Sequence, residues 1–287
     1  MYLNFQIIFR LPESVQWSYT LGATYKYYGK HWNHLFVLSR STLQNEIEKY
    51  SRNDKSQPKL VDYTSGETEN KFRFEHNRLT RQNVKLNFGA GIEYATYKNK
   101  TQRELYTRGE LQNIRYDRNF EFFKWSLFGQ ASKSFFLERL SLSFGARVDG
   151  NSYTSGMSNP LKQFSPRLSL SYSLTPEWFV NASTGRYYQL PSYTTMGYAD
   201  ENGELVNKRN GVKYIATNQY AAGIEYRPGT RTQITLEGFY KTYDKYPVSL
   251  ADSIVLANKG TDYVAVGDEP VKSLGEGRPL STAISIS

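Results

Sequence analysis

Hydrophobic and polar residues alternate with a period of two along much of this chain. Ser14–Tyr27 shows the pattern most clearly, with apolar or aromatic residues at one set of alternate positions and mainly Gln, Ser, Thr, Gly and Lys at the other. The alternation returns at Val84–Tyr94, Leu140–Asp149 and Pro166–Leu174. Successive side chains of a strand point to opposite faces, so the pattern predicts β-strands with one apolar and one polar face. Charged residues such as Arg147 place the second face in water.

The connections between the predicted strands alternate between two lengths. The short links are Tyr28–His31, Thr80–Asn83, Glu138–Arg139, Thr175–Glu177 and Pro228–Gly229. The long polar segments are Leu43–Asn70, Lys98–Glu121, Gly150–Phe164, Leu190–Thr217 and Asp244–Asp262. The clearest strands are close to the ~9–11 residues that a tilted strand needs to cross a bilayer. Short turns at one end and long loops at the other are typical of an outer-membrane β-barrel, with the turns periplasmic and the loops extracellular.

Aromatic residues cluster near the ends of the predicted strands. Tyr25, Trp32, Tyr94, Trp125 and Tyr240 are examples. Tyrosine favours strands in general, but rings at strand ends beside an aliphatic face also form the interfacial girdles of membrane barrels, and we favour that interpretation. The strand predicted at Trp32–Thr42 alternates least regularly.

Composition narrows the possible classes of protein. The 287 residues include no cysteine, which excludes disulfide scaffolds, thiol catalysis and zinc–thiolate sites. No apolar run approaches the roughly 20 residues of a transmembrane helix. The net charge is +9, from 36 basic and 27 acidic residues. These charges are of mixed sign and lie mainly between the strands, so we expect no nucleic-acid partner.

The sequence shows no recognisable catalytic, phosphate-binding or metal-binding motif. His31 and His34 are three positions apart, which places them on opposite faces of a strand, and His76 has no recognisable nucleophile motif near it. Gly89 and Gly91 lie within a predicted strand, where small residues relieve crowding inside a barrel. We therefore expect no cofactor, no metal site and no enzymatic activity.

The segment Phe164–Tyr193, FSPRLSLSYSLTPEWFVNASTGRYYQLPSY, is more specific than simple alternation. It resembles the barrel of TonB-dependent receptors of Gram-negative outer membranes, which carry a PRLSLSY-like strand, a short turn and a GRYYQLP-like entry to a loop. Further segments resemble the strands and the loop that follow in that family: Asn218–Arg227 (NQYAAGIEYR), Thr232–Pro247 (TQITLEGFYKTYDKYP), Asn258–Gly260 and Gly275–Arg278. The resemblance extends from Ser14 to about Arg278 and is strongest after Phe164.

The resemblance implies an all-β fold, an antiparallel transmembrane β-barrel. Residues 1–278 would form about half of a 22-stranded barrel, or roughly 10–12 strands. This number includes an opening strand at Tyr2–Arg10 and a stub at Tyr263–Gly267. The family's plug, energy-coupling box and signal sequence have no counterpart here, and the opening residues MYLNFQIIFRLPES do not have the features of a secretory signal. Residues 279–287 carry no charge and no aromatic ring, so we expect an atypical, disordered tail. Its origin is a shifted reading frame or a broken gene, and the alternative is an ordinary terminal tail.

The function implied by the resemblance is energy-coupled uptake across the outer membrane. The nutrient would be a siderophore, cobalamin, a glycan or a peptide. Partners would be outer-membrane lipid, the extracellular ligand, a surface lipoprotein and, through the missing plug alone, the TonB energy-coupling complex. Loops carry recognition on a rigid barrel, which makes one group of aromatic residues candidate ligand contacts: Tyr187, Tyr188, Tyr193 and Tyr198. The same rings suit packing, which we favour for them.

Two other classes of protein remain as alternatives to a receptor. A small outer-membrane β-barrel enzyme, of the phospholipase or protease type, would need a catalytic histidine close to serine or aspartate. A soluble β-rich binding module would need to cover the apolar face of its strands.

Overall fold

The structure is a computed structural model that describes residues 12–107, 110–200, 202–259, 269–273 and 278–286. Its strands are β1 (Glu13–Tyr28), β2 (Trp32–Tyr50), β3 (Lys59–Leu79), β4 (Lys85–Thr107), β5 (Glu110–Phe135), β6 (Leu140–Asn151), β7 (Ser165–Ser173), β8 (Trp178–Gln189), β9 (Ile215–Tyr226), β10 (Ile234–Asp244), β11 (Pro247–Ser249), β12 (Val271–Ser273) and β13 (Arg278–Ile286). Eleven of them form one antiparallel sheet in the order β1 to β10 and then β13, while β11 and β12 pair separately. The described strands form part of a barrel wall and do not close.

The strand register separates the side chains into two faces. Tyr25, Phe36 and Phe74 are successive cross-strand partners and define what we call the outer face. Its apolar side chains are uncovered: Leu21 is 72% exposed and Leu127 is 59% exposed. The opposite, inner face carries the polar and charged set. An uncovered apolar face on a continuous sheet is the arrangement that lipid contact requires, so the alternation predicted from the sequence is confirmed.

The longest strands include most of two segments that the sequence predicts to be loops. Most of Leu43–Asn70 belongs to β2 and β3, and the connection between these strands is residues 51–58. Most of Lys98–Glu121 likewise belongs to β4 and β5. The sequence suggests loops because the apolar face is lost there, yet the polar residues still pair across strands, as the 3.1 Å hydrogen bond between the Thr42 and Thr68 hydroxyls shows. These strands extend beyond the length that faces lipid.

Smaller differences concern the strand ends. Trp32–Thr42, the least regular predicted strand, is part of β2, and the turn predicted at Pro228–Gly229 is a longer link, residues 227–233. Residues 278–286 pair with β10 as β13, whereas we expected residues 279–287 to be a disordered tail. The predicted strand at Tyr2–Arg10 and the stub at Tyr263–Gly267 lie outside the described residues.

The long connections fold back over the inner face at what we call the loop end of the sheet. Their described residues include three short α-helices, α1 (Ser155–Ser158), α2 (Tyr193–Met196) and α3 (Val206–Arg209). Buried residues of these connections pack on Ala95, Tyr97 and Phe122 of the wall; they include Tyr153, Met157, Tyr193, Met196, Val212, Tyr214, Leu256 and Val271. We call this cluster the loop core. None of the described helices has the length and hydropathy needed to cross a membrane.

A glycine in the wall permits a close approach between strands. An ideal Cβ on Gly89 of β4 would overlap the backbone oxygen of Phe74 and lie 2.8 Å from Cζ of Phe128. The same addition at Gly238 of β10 would meet no atom within 4 Å. Gly89 therefore has a packing role that Gly238 does not share, in agreement with the predicted relief of crowding.

We expect Gly89→Ala to destabilise the refolded chain by about 1–3 kcal/mol, because backbone atoms have to shift. The matched variant Gly238→Ala should remain within about 0.5 kcal/mol of the native chain. Urea unfolding in detergent micelles measures both. Equal midpoints for the two variants would contradict the packing role.

The stability of the loop core should depend on pH, because the core contains buried tyrosine side chains. Tyr214 accepts a hydrogen bond of 2.9 Å from the Asn151 side-chain amide, and burial raises the pKa of Tyr214 to about 12. Burial also raises the pKa of Tyr153. The fold favours the neutral phenol, so the stability that these groups contribute is complete below the ordinary tyrosine pKa of about 10 and is lost as the pH rises through the raised value.

Tyr214→Phe should remove one phenol that ionises late in a spectrophotometric titration. The phenolate absorbance of the native chain minus that of the variant should rise with a midpoint near pH 12, well above the ordinary midpoint of about 10. A difference curve centred near the ordinary value would show that Tyr214 is in water.

Candidate functional site

A row of alternating charges crosses the inner face beneath the loop core. The register places Lys71 of β3 opposite Glu93 of β4, and Glu93 opposite Lys124 of β5. Lys124 forms ion pairs with Glu93 and with Glu69, whose carboxylate is 2.9 Å away. Lys71 also pairs with Glu69. Opposite charges on neighbouring strands offset one another, so Lys71 and Lys124 balance Glu69 and Glu93 in this row.

Tyr193 of α2 connects a long connection to this row. Its hydroxyl donates a hydrogen bond to Glu69 and accepts one of 2.7 Å from Lys124 Nζ. Its ring is buried in the loop core, 7% exposed. Burial, reinforced by the hydrogen bond to Glu69, raises the pKa of Tyr193. The structure thus gives this candidate ligand contact a packing and anchoring role, which sequence reasoning favoured for these rings.

The other candidate aromatic residues have separate surroundings. The Arg167 guanidinium lies 4.5 Å from the ring centroid of Tyr187. The neighbouring hydroxyl of Tyr188 accepts a 2.9 Å hydrogen bond from Arg186 Nε. Tyr198 is half-buried, and its carbonyl accepts a hydrogen bond from the Val206 amide. The structure brings Tyr188 and Tyr193 to the loop core and places Tyr187 beside Arg167, so the four do not form one group of neighbouring rings. Ligand contact by any of them remains a prediction.

Three cavities follow one another along the inner face. The first, of about 390 Å³, lies under the loops between Lys71, Lys124, Asp149 and Tyr214. The second, of about 240 Å³, is lined by Arg73, Arg147 and Arg167 among other residues. The third, of about 920 Å³, lies toward the short-turn end of the sheet and is lined by many serines. The first and second cavities share Arg73 and Arg147, and the second and third share Gln130. We call the three together the polar path, which runs from the loop end to the turn end.

The three arginines of the second cavity were not singled out by sequence reasoning. Arg73 pairs with Glu75, and Arg147 pairs with Asp149 at 2.7 Å. Arg167 stacks on Tyr187 and has no ion pair among the described residues. A guanidinium presents a planar fork of donors, so this part of the face suits carboxylate, phosphate and other anionic groups. Alternation puts Arg147 on the polar face, but only the register shows that the three lie around one cavity.

Two histidines meet on the outer face. His34 and His76 are cross-strand partners in β2 and β3, and their Nδ1 atoms are 3.2 Å apart. Sequence reasoning compared His34 with His31 and could not see this pair, because the register of β2 against β3 was unknown. Within the described part of the chain, no group of three or more histidine and carboxylate side chains is arranged to hold a metal ion.

Tyr193→Phe should loosen the long connection from the wall, because the two hydrogen bonds of the Tyr193 hydroxyl to charged groups are lost. A loss of about 1.5–3 kcal/mol corresponds to at least about tenfold faster tryptic cleavage at the exposed Lys208 and Arg209, if cleavage follows local opening. Tyr94→Phe is the matched control, because it removes a tyrosine–glutamate bond, to Glu121, outside the loop core. Unchanged cleavage in Tyr193→Phe would show that its hydroxyl does not hold the connection.

Solved structures with the same architecture are outer-membrane transporters and receptors. The pyoverdine receptor FpvA of Pseudomonas aeruginosa, bound to pyoverdine, superposes with a TM-score of 0.62 at 13% identity, over 93% of this chain and 41% of that chain. A mutant of the ferric enterobactin receptor PfeA from the same organism gives 0.62 at 14% identity, over 95% and 40%. The outer membrane transporter YddB of Escherichia coli gives 0.55 at 15%, over 83% and 36%.

These similarities show the fold of this chain. The chain spans about two fifths of the length of these structures. No curated protein is similar enough in sequence to count as a match. Residues 2–273 match the family described as TonB dependent receptor-like, beta-barrel. The predicted resemblance is therefore confirmed, and the chain belongs to the TonB-dependent receptor family, whose members are outer-membrane proteins and in whose β-barrel its strands lie.

Proposed function

We propose that this chain supplies barrel wall and ligand-facing loops to an outer-membrane receptor for energy-coupled nutrient uptake. The observation that carries the proposal is the polar path along the inner face, covered by folded loops at one end and backed by an uncovered apolar face on the other side. A lipid-facing wall with a charged interior is suited to moving a polar solute past lipid. The family match supports the same assignment.

The inner face favours an anionic ligand within the nutrient classes of the family. Siderophore, cobalamin, glycan and peptide all fit the resemblance. The cavity lined by Arg73, Arg147 and Arg167 should bind a ligand with carboxylate or catecholate oxygens most strongly. FpvA with pyoverdine and the ferric enterobactin receptor, two of the similar structures, are named for siderophores. We extend that ligand class to this chain as part of the proposal, with outer-membrane lipid, a surface lipoprotein and the TonB complex, reached through a plug, as partners.

The enzyme alternative has no specific observation in its favour. A phospholipase or protease barrel needs a histidine positioned by a carboxylate or amide and facing a serine. His34 and His76 instead face one another among aromatic rings. The family match points to transport receptors, and we carry the enzyme no further.

The orientation in the membrane can be tested with single cysteines, because the chain has none of its own. The chain would be exported behind an added signal peptide in Escherichia coli. Lys208→Cys in α3 should react with a membrane-impermeant maleimide on intact cells, whereas Gly229→Cys in the β9–β10 link should react only after the outer membrane is permeabilised. Heat-dependent mobility on gels checks folding. Labelling of Gly229→Cys on intact cells with Lys208→Cys protected would overturn the proposed topology.

Ligand capture can be tested on the purified chain in detergent. Quenching of intrinsic fluorescence would be measured with a ferric catecholate, a ferric hydroxamate, cobalamin, a maltooligosaccharide and a peptide. We expect the ferric catecholate to bind best, and Arg167→Gln to weaken it about tenfold through loss of a charge-assisted contact. Arg231→Gln, in the β9–β10 link, is the matched control and should leave binding unchanged. Equal binding by both variants would exclude the arginine cavity as the ligand site.

A further inference from the structure

The outer face carries a pair of imidazoles whose geometry is independent of the uptake proposal. His34 is the third residue of β2, and His76 lies opposite it, three residues before the end of β3. Both rings are on the face that also carries Phe36 and Phe74, and both are half-buried. Strand rise is about 3.3 Å per residue, so the pair lies within about 10 Å of the short-turn end of the sheet. Water reaches this interfacial level of a membrane barrel.

The two nitrogens have the separation of two ligands on one metal ion. Nδ1 of His34 and Nδ1 of His76 are 3.2 Å apart. Two nitrogens bound to a tetrahedral zinc ion at about 2.0–2.1 Å are about 3.3 Å from each other. A square-planar ion such as Cu²⁺ needs a separation of about 2.9 Å for neighbouring nitrogens at the same bond length. The observed separation of 3.2 Å lies between these two values.

Aromatic neighbours hold both rings in place. The His34 ring centroid is 4.7 Å from that of Trp32 and 5.5 Å from that of Phe74. The His76 ring lies 4.8 Å from that of Phe88. Rings packed in this way lose little further rotational freedom when they bind an ion, which favours affinity.

We propose that His34 and His76 form a two-histidine site for a borderline divalent transition-metal ion, with Zn²⁺ as the reference ion. Water or an anion completes the coordination. Arg78, two residues after His76 on the same face of β3, favours an anionic group as one of these further ligands. The ion joins β2 to β3 near their turn-end termini and so fixes the register of the pair.

The proton balance follows from the tautomers. Without metal, one facing Nδ1 carries a proton and donates it to the other. With metal, both Nδ1 atoms bind through lone pairs, so the donating ring moves its proton to Nε2 and the neutral pair releases none. Protons compete with a metal ion for the same nitrogen lone pairs, so acid should weaken binding. Arg78 is the charged group on this face beside the pair, while Tyr27 and Phe88 flank it from β1 and β4.

The test uses the whole chain, purified in detergent with an affinity tag that lacks histidine. Co²⁺ is the spectroscopic probe, and Zn²⁺ is titrated against it. We expect one Co²⁺ per chain with the strong visible absorption of four-coordinate cobalt, and its displacement by Zn²⁺. His34→Phe and His76→Phe keep an aromatic ring in the packing and should each weaken Zn²⁺ binding about tenfold or more. His31→Phe, in the β1–β2 turn, is the matched control and should bind as the native chain does.

Each result decides the proposal. Unchanged Zn²⁺ affinity in both His34→Phe and His76→Phe, or an equal loss in His31→Phe, overturns it. Weak, octahedral-type cobalt absorption in the native chain also overturns it, and this measurement needs no variant that could misfold. Circular dichroism and heat-dependent gel mobility establish that the variants are folded. Uptake plays no part in the readout, so failure of the receptor proposal leaves this test intact.

Discussion

The structure depends first on the requirement that a backbone crossing lipid pairs its own N–H and C=O groups. A single antiparallel ladder from β1 to β10 meets this requirement for the strands between its two edges, with each strand joined to the next in the chain. Once the ladder exists, the two faces are fixed, because side chains alternate. Apolar residues can then face lipid while arginine, lysine and carboxylates face the interior. A one-residue slip would exchange the faces, so the alternation in the sequence also specifies the register.

The wall is also taller than a bilayer requires. Strands β2 to β5 contain 19–26 residues, about twice the ~9–11 that span a bilayer. Beyond the apolar band they stay paired, and the outer face becomes polar. Their inner face there provides Ala95, Tyr97 and Phe122 as a platform for the loop core. The long connections can therefore pack against strand rather than against one another, and the cover over the polar path is attached to the wall.

The parts of this arrangement that sequence could predict are those that depend on local pattern. Ser14–Tyr27 alternates strictly, and it forms the strand that the pattern indicates. Leu43–Asn70 does not alternate in hydrophobicity, because mainly polar residues occupy both of its faces, and so its strands were expected to be a loop. Contacts that depend on how separate segments are aligned could not be predicted, for a different reason. His34 meets His76, and Tyr193 meets Glu69, only because separate segments are aligned in the sheet or folded onto it.

The charges of the inner face are not equivalent toward a ligand. In the row Lys71, Glu93 and Lys124, each charge already has an opposite neighbour, so an anion that binds there has to replace an existing ion pair and gains little. Arg167 stacks on the Tyr187 ring and forms no ion pair among the described residues, so an anion binding there gives up no ion pair of the wall. Affinity for an anionic ligand should therefore concentrate at the second cavity, and the paired row above it should hold the ligand weakly. A path that binds strongly at one level and weakly at the next allows capture without blocking onward movement.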